Sequence, residues 1–204
     1  MHSFPFTRRQ MLAQYLDRLI DKLNRTISGI NSAKNTLYLT YFPTPLGFYC
    51  GGAIEDKIAF LTSFHCPDLY TTLLKLAKTH STNLQIKRTA TLSELIQQLQ
   101  AYFDQRLITF DLPIVTRGTY FQEKVWAVLR EVPYGVTITY KEEALRLNQP
   151  SAARAVGRAN ALNPITILIP CHRVISNKKT LLGYSSGLRI KKKLLQLEGV
   201  RIQK

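Results

Sequence analysis

TYKEEALRLNQPSAARAVGRANAL, residues 139–162, decides the architecture of the second half of the chain. Thr139 can cap a helix running to about Leu147, and Glu142 three residues on completes a capping box. Asn148-Gln149-Pro150 interrupts the pattern, because proline has no backbone N–H and its ring clashes with the preceding helical turn. Ser151 is then a natural N-cap for a second helix, Ala152 to about Leu162. Two short helices with a tight, proline-bearing turn between them read as a helix-turn-helix. An ordinary helical hairpin fits the same pattern, and the composition of the second helix bears on the choice. Ala152, Ala153, Ala155, Gly157, Ala159 and Ala161 make it slim, with Arg154 and Arg158 one turn apart on one side. A slim helix with paired arginines can approach a phosphate backbone, although it also packs well on another helix.

The flanking sequence extends this picture. Thr119 can cap a helix containing Phe121, Val125, Trp126 and Leu129, which Pro133-Tyr134-Gly135 ends. An apolar run, residues 165–169, leads into Pro170-Cys171-His172-Arg173-Val174-Ile175, and a loop rich in Gly and Ser follows over 181–188. A last helix over 189–198 turns Leu194, Leu195 and Leu197 inward and Lys191, Lys192 and Lys193 largely outward. In the first half, Met11, Leu12, Tyr15, Leu16, Leu19, Ile20 and Leu23 form a helical stripe within residues 8–27. A loop or linker over 28–36 separates it from strands at 37–42, 48–53 and 58–64, a short antiparallel sheet with turns at 44–47 and 55–57. Residues 69–78 and 93–106 are amphipathic, with Ser93 expected to cap the second of these helices. The expected organisation is a helical extension over 1–35, an α/β N-terminal domain over 36–111, and a mainly helical domain with a helix-turn-helix unit over 112–204.

Composition limits the function. The chain has 204 residues, 45% of them hydrophobic and 20% charged, enough for a packed core. Its formal net charge is +15, and residues 112–204 hold 16 basic against 5 acidic side chains. That bias favours a polyanionic partner met mainly by the second half. Cys50, Cys66 and Cys171 form no disulfide framework, and a Cys50–Cys66 bridge is not expected in a reducing compartment. His2, His65, His80 and His172 do not fall at zinc spacing, so neither metal nor cofactor is expected. No signal peptide is expected between Met1 and Gln14, and no apolar run approaches the 18 or so residues of a membrane span. The chain reads as cytoplasmic or nuclear.

Cys171 adjoins His172, and Arg173 and Arg154 are near in sequence. A positive environment lowers a thiol pKa and raises the thiolate fraction. A buried, inert cysteine is the ordinary alternative, although Pro170 argues against the interior of a regular element. A Cys-His pair serves a hydrolase, in which a third group orients the imidazole, or a transfer in which the sulfur keeps the group.

Pro170-Cys171-His172-Arg173-Val174-Ile175 resembles the active-site motif of the O6-alkylguanine-DNA alkyltransferases, also called methylated-DNA–protein-cysteine methyltransferases. The resemblance extends through Gly118-Thr119-Tyr120-Phe121-Gln122, Pro133-Tyr134-Gly135, Tyr140, Ala152-Ala153-Arg154-Ala155-Val156-Gly157, Asn163-Pro164, Gly183-Tyr184 and Leu194-Leu195 with Glu198. It covers residues 112–200 densely, and Thr44-Pro45-Leu46-Gly47 more weakly. The resemblance implies that Cys171 accepts the alkyl group irreversibly and once. His172 activates it, Glu198 orients the imidazole, Asn163 braces the turn, and Tyr140 hydrogen-bonds to guanine N3. Backbone around Val174 and the Ser185–Ser186 segment, with Tyr184, would hold the flipped base. Arg154 would fill the stack, and Ser151, Ala153, Arg158, Thr119, Tyr120 and Gln122 would face DNA. The implied partner is duplex DNA carrying O6-alkylguanine, with O4-alkylthymine as a second lesion, bound through the minor groove by a monomer. Lys178-Lys179 and Ser185-Ser186 depart from the family's glycine-rich pattern. A non-catalytic lesion-binding protein and a helix-turn-helix regulator are the competing readings.

Overall fold

The computed structural model describes residues 8–28, 35–64, 68–178 and 180–201. His65, Cys66, Lys179 and most of the expected loop over 28–36 lie outside them. The first helix, α1 (Arg8–Ser28), lies beside α2 (Leu69–His80). It buries Leu16, Leu19, Ile20, Leu23 and Ile27, whereas Met11 and Tyr15 of the expected stripe are about half exposed.

The sheet contains β1 (Asn35–Thr44), β2 (Gly47–Ile54), β3 (Lys57–Ser63) and β4 (Thr82–Ile86), in the order β3-β2-β1-β4. The first three are antiparallel neighbours, as the turn residues predict. β4 adds on the far side of β1, parallel to it, after the α2 crossover. One sheet face packs Leu37, Leu39 and Phe60 against α1 and α2. The other packs Phe42, Tyr49 and Leu61 against α3 (Ala90–Phe103) and the helical half. α3 lies so close that a Cβ on Gly51 would meet Leu95 Cδ2 at 2.9 Å. Its cap is Thr89, whose hydroxyl accepts from Leu92 N–H. Ser93 sits inside the helix and donates its own hydroxyl proton back to Thr89 O, so the expected Ser93 cap is replaced one turn earlier.

The second half contains α4 (Tyr120–Arg130), β5 (Ile138–Thr139), α5 (Tyr140–Arg146), α6 (Ala153–Ala161), a 3-10 turn over Cys171–Arg173, β6 (Val174–Ile175) and α7 (Leu188–Leu197). Thr119 and Thr139 both make full capping boxes, with Gln122 and Glu142. Ser151 does not cap α6. The chain turns between Gln149 and Ala152, with Ala152 N–H donating to Gln149 O, and Ala152 takes the cap position without a side-chain hydrogen bond. Trp126 Nε1 donates to Ala159 O at 3.0 Å and pins α6 to α4.

The halves join along the free edge of β3. Ile58 exchanges backbone hydrogen bonds with Pro113 and Val115, and Leu61 with Pro164 and Thr166. The apolar run over 165–169 therefore closes a sheet edge without becoming a regular strand. Ile167 has φ +75°, which is costly for a β-branched residue, by about 1–3 kcal/mol. This strained turn delivers the chain to Cys171.

Candidate active site

The 163–171 turn ends at Cys171. Asn163 Nδ2 donates to Ile169 O at 2.7 Å and to Cys171 Sγ at 3.2 Å, while its Oδ1 accepts from Ile165 N–H. One amide thus fixes both ends of the 163–171 turn and touches the sulfur. Burial pushes the Cys171 thiol up to about 11, offset in part by the Asn163 hydrogen bond and the charge of Lys191. Cys50 is also buried and is pushed up to about 12 by desolvation alone.

Neither arginine near in sequence supplies charge to the thiol. Arg154 is exposed on α6. Arg173 turns to Glu198, donating from Nε at 2.9 Å and Nη2 at 3.0 Å, and from Nη1 to Val132 O. The cation that reaches Cys171 is Lys191. It is fully buried, contrary to its expected outward position, and Nζ donates to Val174 O (2.6 Å), Leu182 O (2.7 Å) and Gly183 O (3.2 Å). It ties the segment after the 3-10 turn to the 181–187 loop. Burial lowers the Lys191 ammonium to about 8 against the opposing influence of Cys171 and Glu143.

Glu198 gathers the other buried polar groups. His172 Nε2 lies 2.8 Å from its Oε1, Tyr102 OH donates to the same oxygen at 2.7 Å, and Gly135 N–H donates to Oε2. Burial alone would raise this carboxyl, but hydrogen bonds and charge from His172 and Arg173 hold it down at about 2. An ionised Glu198 fixes the Nε2–H tautomer of His172 and leaves Nδ1 as the basic nitrogen. Nδ1 is buried and has no hydrogen-bond partner among the described residues. Burial lowers the imidazole pKa, so the ring is neutral and able to take a proton.

Cys171 opens on a cavity of about 40 Å³ lined also by Tyr140, Gly157, Asn160, Gly183 and Tyr184. Tyr140 OH donates to Leu182 O at 3.1 Å. Among the expected pocket residues, Tyr184 lines this space. Ser185 faces the groove between α2 and α4, Ser186 is buried with its Oγ unpartnered among the described residues, and the Val174 carbonyl is occupied by Lys191. Thr119 and Tyr120 are exposed at the start of α4, with Lys124 Nζ 4.5 Å above the Tyr120 ring, and Gln122 is spent on the capping box. Ser151, Arg154 and Arg158 are exposed, with Ala153 partly covered. Sequence reasoning placed Tyr102 on the apolar face of its helix with Leu95 and Leu99 but missed its hydrogen bond to Glu198, and it missed the structural roles of Arg173 and Lys191. Lys191 also carried a periodic signal, three and four residues before Leu194 and Leu195.

No cluster of three or more potential metal ligands occurs among the described residues, and no helix among them is long and apolar enough to cross a membrane.

A family model described as the DNA-binding domain of 6-O-methylguanine DNA methyltransferase matches residues 120–200. A Methanosarcina barkeri methylated-DNA–protein-cysteine methyltransferase is 55% identical over 105 residues, 52% of this chain and 66% of that protein. The constitutive Bacillus subtilis methylated-DNA–protein-cysteine methyltransferase is 40% identical over 166 residues, 80% of this chain and 96% of its own length. The crystal structure of Mycobacterium tuberculosis OGT in complex with DNA superposes with a TM-score of 0.68 at 35% identity, covering 79% of this chain and 92% of that one. With nearly the whole Bacillus protein matched, and with a buried Cys-His-Glu arrangement where the motif requires one, the chain belongs to the methylated-DNA–protein-cysteine methyltransferase family.

Proposed function

We propose that this protein repairs DNA by direct reversal, moving the alkyl group of O6-alkylguanine, and of O4-alkylthymine, to Cys171 Sγ. The observation that carries the reading is a buried Cys171 thiol followed in sequence by a buried His172, whose Nε2 is engaged by Glu198 and whose Nδ1 has no hydrogen-bond partner among the described residues. The Cys171 proton passes to His172 Nδ1 through a water. The thiolate attacks the sp3 carbon, the C–S bond forms, and the C–O bond breaks with its electron pair going to the base. Tyr140 leaves Leu182 O and donates to guanine N3, which eases departure of the base. Asn163 holds the sulfur in place through its turn. Tyr184 stands on the cavity wall, and for Val174 and the Ser185–Ser186 segment to hold the base, Lys191 releases the Val174 carbonyl and the 183–187 loop turns toward the cavity. The thioether product is stable, so each molecule acts once.

The O6 atom lies inside the base pair of a duplex, so the nucleotide must be extruded. α6 suits a minor-groove approach, because its alanines keep it slim and Arg154 and Arg158 are both exposed. Its uncapped first turn leaves backbone N–H groups for a phosphate. Thr119, Tyr120, Gln122, Ser151 and Ala153 complete this surface, and the protein binds as a monomer. The cysteine at the acceptor position favours transfer over mere lesion binding.

The test is stoichiometric. Incubation with a duplex carrying labelled O6-methylguanine should place one methyl per molecule on Cys171, located by peptide mass, and Cys171→Ser should take up none. Repeated turnover, or label on Cys50, would refute the reading.

A further inference from the structure

Glu143 is a charged residue in an apolar place. It falls three residues after Tyr140 and one before the buried Ala144, on the inward stripe of α5, and is itself fully buried. Its Oε2 accepts from Asn160 Nδ2 at 2.8 Å across the α5–α6 packing. Its Oε1 and Asn160 Oδ1 have no hydrogen-bond partner among the described residues. A buried carboxylate with one hydrogen bond and no ion pair is costly, and its neutral form is favoured. Asn160 lines the cavity that holds Cys171, so Glu143 stands one side chain behind that wall. Lys191, on α7, is the buried cation of the same cluster, and both reach the thiol with opposite sign.

We propose that Glu143 is a charge-setting residue for the Cys171 thiol: ionised, it opposes the thiolate from behind Asn160, and protonated, it leaves Lys191 unopposed in favouring it. The inference rests on the alkyl-transfer reading, because only a nucleophilic Cys171 gives the charge a consequence for repair. Burial raises the Glu143 carboxyl to about 7, against the lowering influence of Asn160, Arg146 and Lys191. Both protonation states are therefore populated near neutrality. Arg146 lies on the same helix, Asn160 on α6, Lys191 on α7, and Cys171 in the 3-10 turn. Tyr140 belongs to the cluster too, since burial first, and then Cys171 and Glu143, push its hydroxyl up to about 12.

Glu143→Gln keeps an acceptor for Asn160 and removes the charge, whereas Glu143→Leu removes both. The ultraviolet absorbance of the thiolate is titrated in the full chain, with Cys171→Ser subtracted to isolate Cys171. Methyl transfer from an O6-methylguanine duplex at saturating DNA is followed against pH in the same samples. Both variants should titrate lower by about half a pH unit, and transfer should be about threefold faster above about pH 8, where Glu143 of the parent is ionised, with the gain shrinking as pH falls through about 7. Unchanged titration in two variants that melt normally would overturn the proposal. A shift in Glu143→Leu alone would also overturn it, since that assigns the effect to the Asn160 bond. A shift in both variants with no methyl uptake, even by the parent protein, supports the charge-setting role and refutes alkyl transfer.

Discussion

Glu198 Oε1 lies 2.8 Å from His172 Nε2, with both side chains wholly out of water. The same carboxylate takes two hydrogen bonds from Arg173, which occupies its charge and spares His172 from having to carry a proton. A buried carboxylate facing an imidazole alone would favour imidazolium. With desolvation by burial and the guanidinium present, the imidazole pKa is lowered and the ring stays neutral.

Removal of the charge from Glu198 should therefore unfold and inactivate together. Glu198→Gln leaves Arg173 as a buried, uncompensated cation, at a cost of about 3–5 kcal/mol. Urea denaturation measures that loss. In the fraction that remains folded, methyl transfer should fall by about a hundredfold, the scale of a lost general base. Unchanged stability would mean that the Arg173 charge is solvated.

Two opposite pH effects on stability follow from the buried carboxyls. Glu198 is depressed from 4.5 to about 2, so its contribution is present above pH 4.5 and is lost as pH falls toward 2. His172, lowered from 6.5, costs stability once the pH drops below that value, because the unfolded ring protonates first. Glu143, raised from 4.5 to about 7, contributes fully below pH 4.5 and loses that contribution as pH rises through 7. The melting temperature of Glu143→Gln should gain on that of the parent as pH rises from 5 to 8. A constant difference across that range would show that Glu143 titrates as it does in the unfolded chain.

The helices and three strands were legible because local chemistry decides them. Thr119 and Thr139 each sit three residues before a Gln or Glu, and the turns at 44–47 and 55–57 punctuate the strands. The acceptor Cys171 and its partners came from a motif. What escaped depends on contacts distant in sequence. β4 is short and alternates weakly, and it is held by pairing to Asn35–Leu39. Tyr102 reaches Glu198 across 96 residues. Lys191 looked like surface because lysine is rarely buried, yet three carbonyls satisfy its three donors. The strained Ile167 has no sequence signature, since its φ is imposed by the sheet edge on one side and the Cys171 turn on the other.

The charge distribution sets the salt response. With a net excess of basic residues concentrated after residue 112, DNA affinity should fall linearly in a log–log plot against salt and show little sequence preference. Arg158→Ala should weaken binding to all duplexes and reduce the slope by about 1, as loss of one phosphate contact does. A slope unaltered by the substitution would place Arg158 off the DNA.

Ser186 should control tolerance for bulky lesions. The cavity beside Cys171 is about 40 Å³, so the flipped base already requires the 183–187 loop to shift, and a benzyl group requires a larger shift than a methyl group. Gly183 and Gly187, at φ +42° and +91°, bracket that loop. Ser186 between them is buried, and its hydroxyl has no hydrogen-bond partner among the described residues. Ser186→Gly adds backbone freedom at this point and should raise the benzyl-to-methyl rate ratio severalfold. Equal ratios in parent and variant would remove Ser186 from substrate selection.

Arg154 provides the sharpest separation of DNA handling from thiol chemistry. It is the second residue of α6, exposed, and makes no hydrogen bond or ion pair among the described residues. It therefore does not tie α5 to α6, a task performed by Asn160 with Glu143. Small neighbours on both sides let the backbone approach closely enough for the guanidinium to enter the space of an extruded nucleotide. Extrusion costs a few kcal/mol, and a side chain filling the gap recovers part of it. Arg154→Ala should slow repair of O6-methylguanine in duplex DNA by at least about tenfold, or roughly 1.4 kcal/mol. Its reaction with free O6-benzylguanine, which needs no extrusion, should change much less, and its melting temperature should not move. Equal losses on duplex and free base would assign Arg154 to the pocket and reject the stack-filling role.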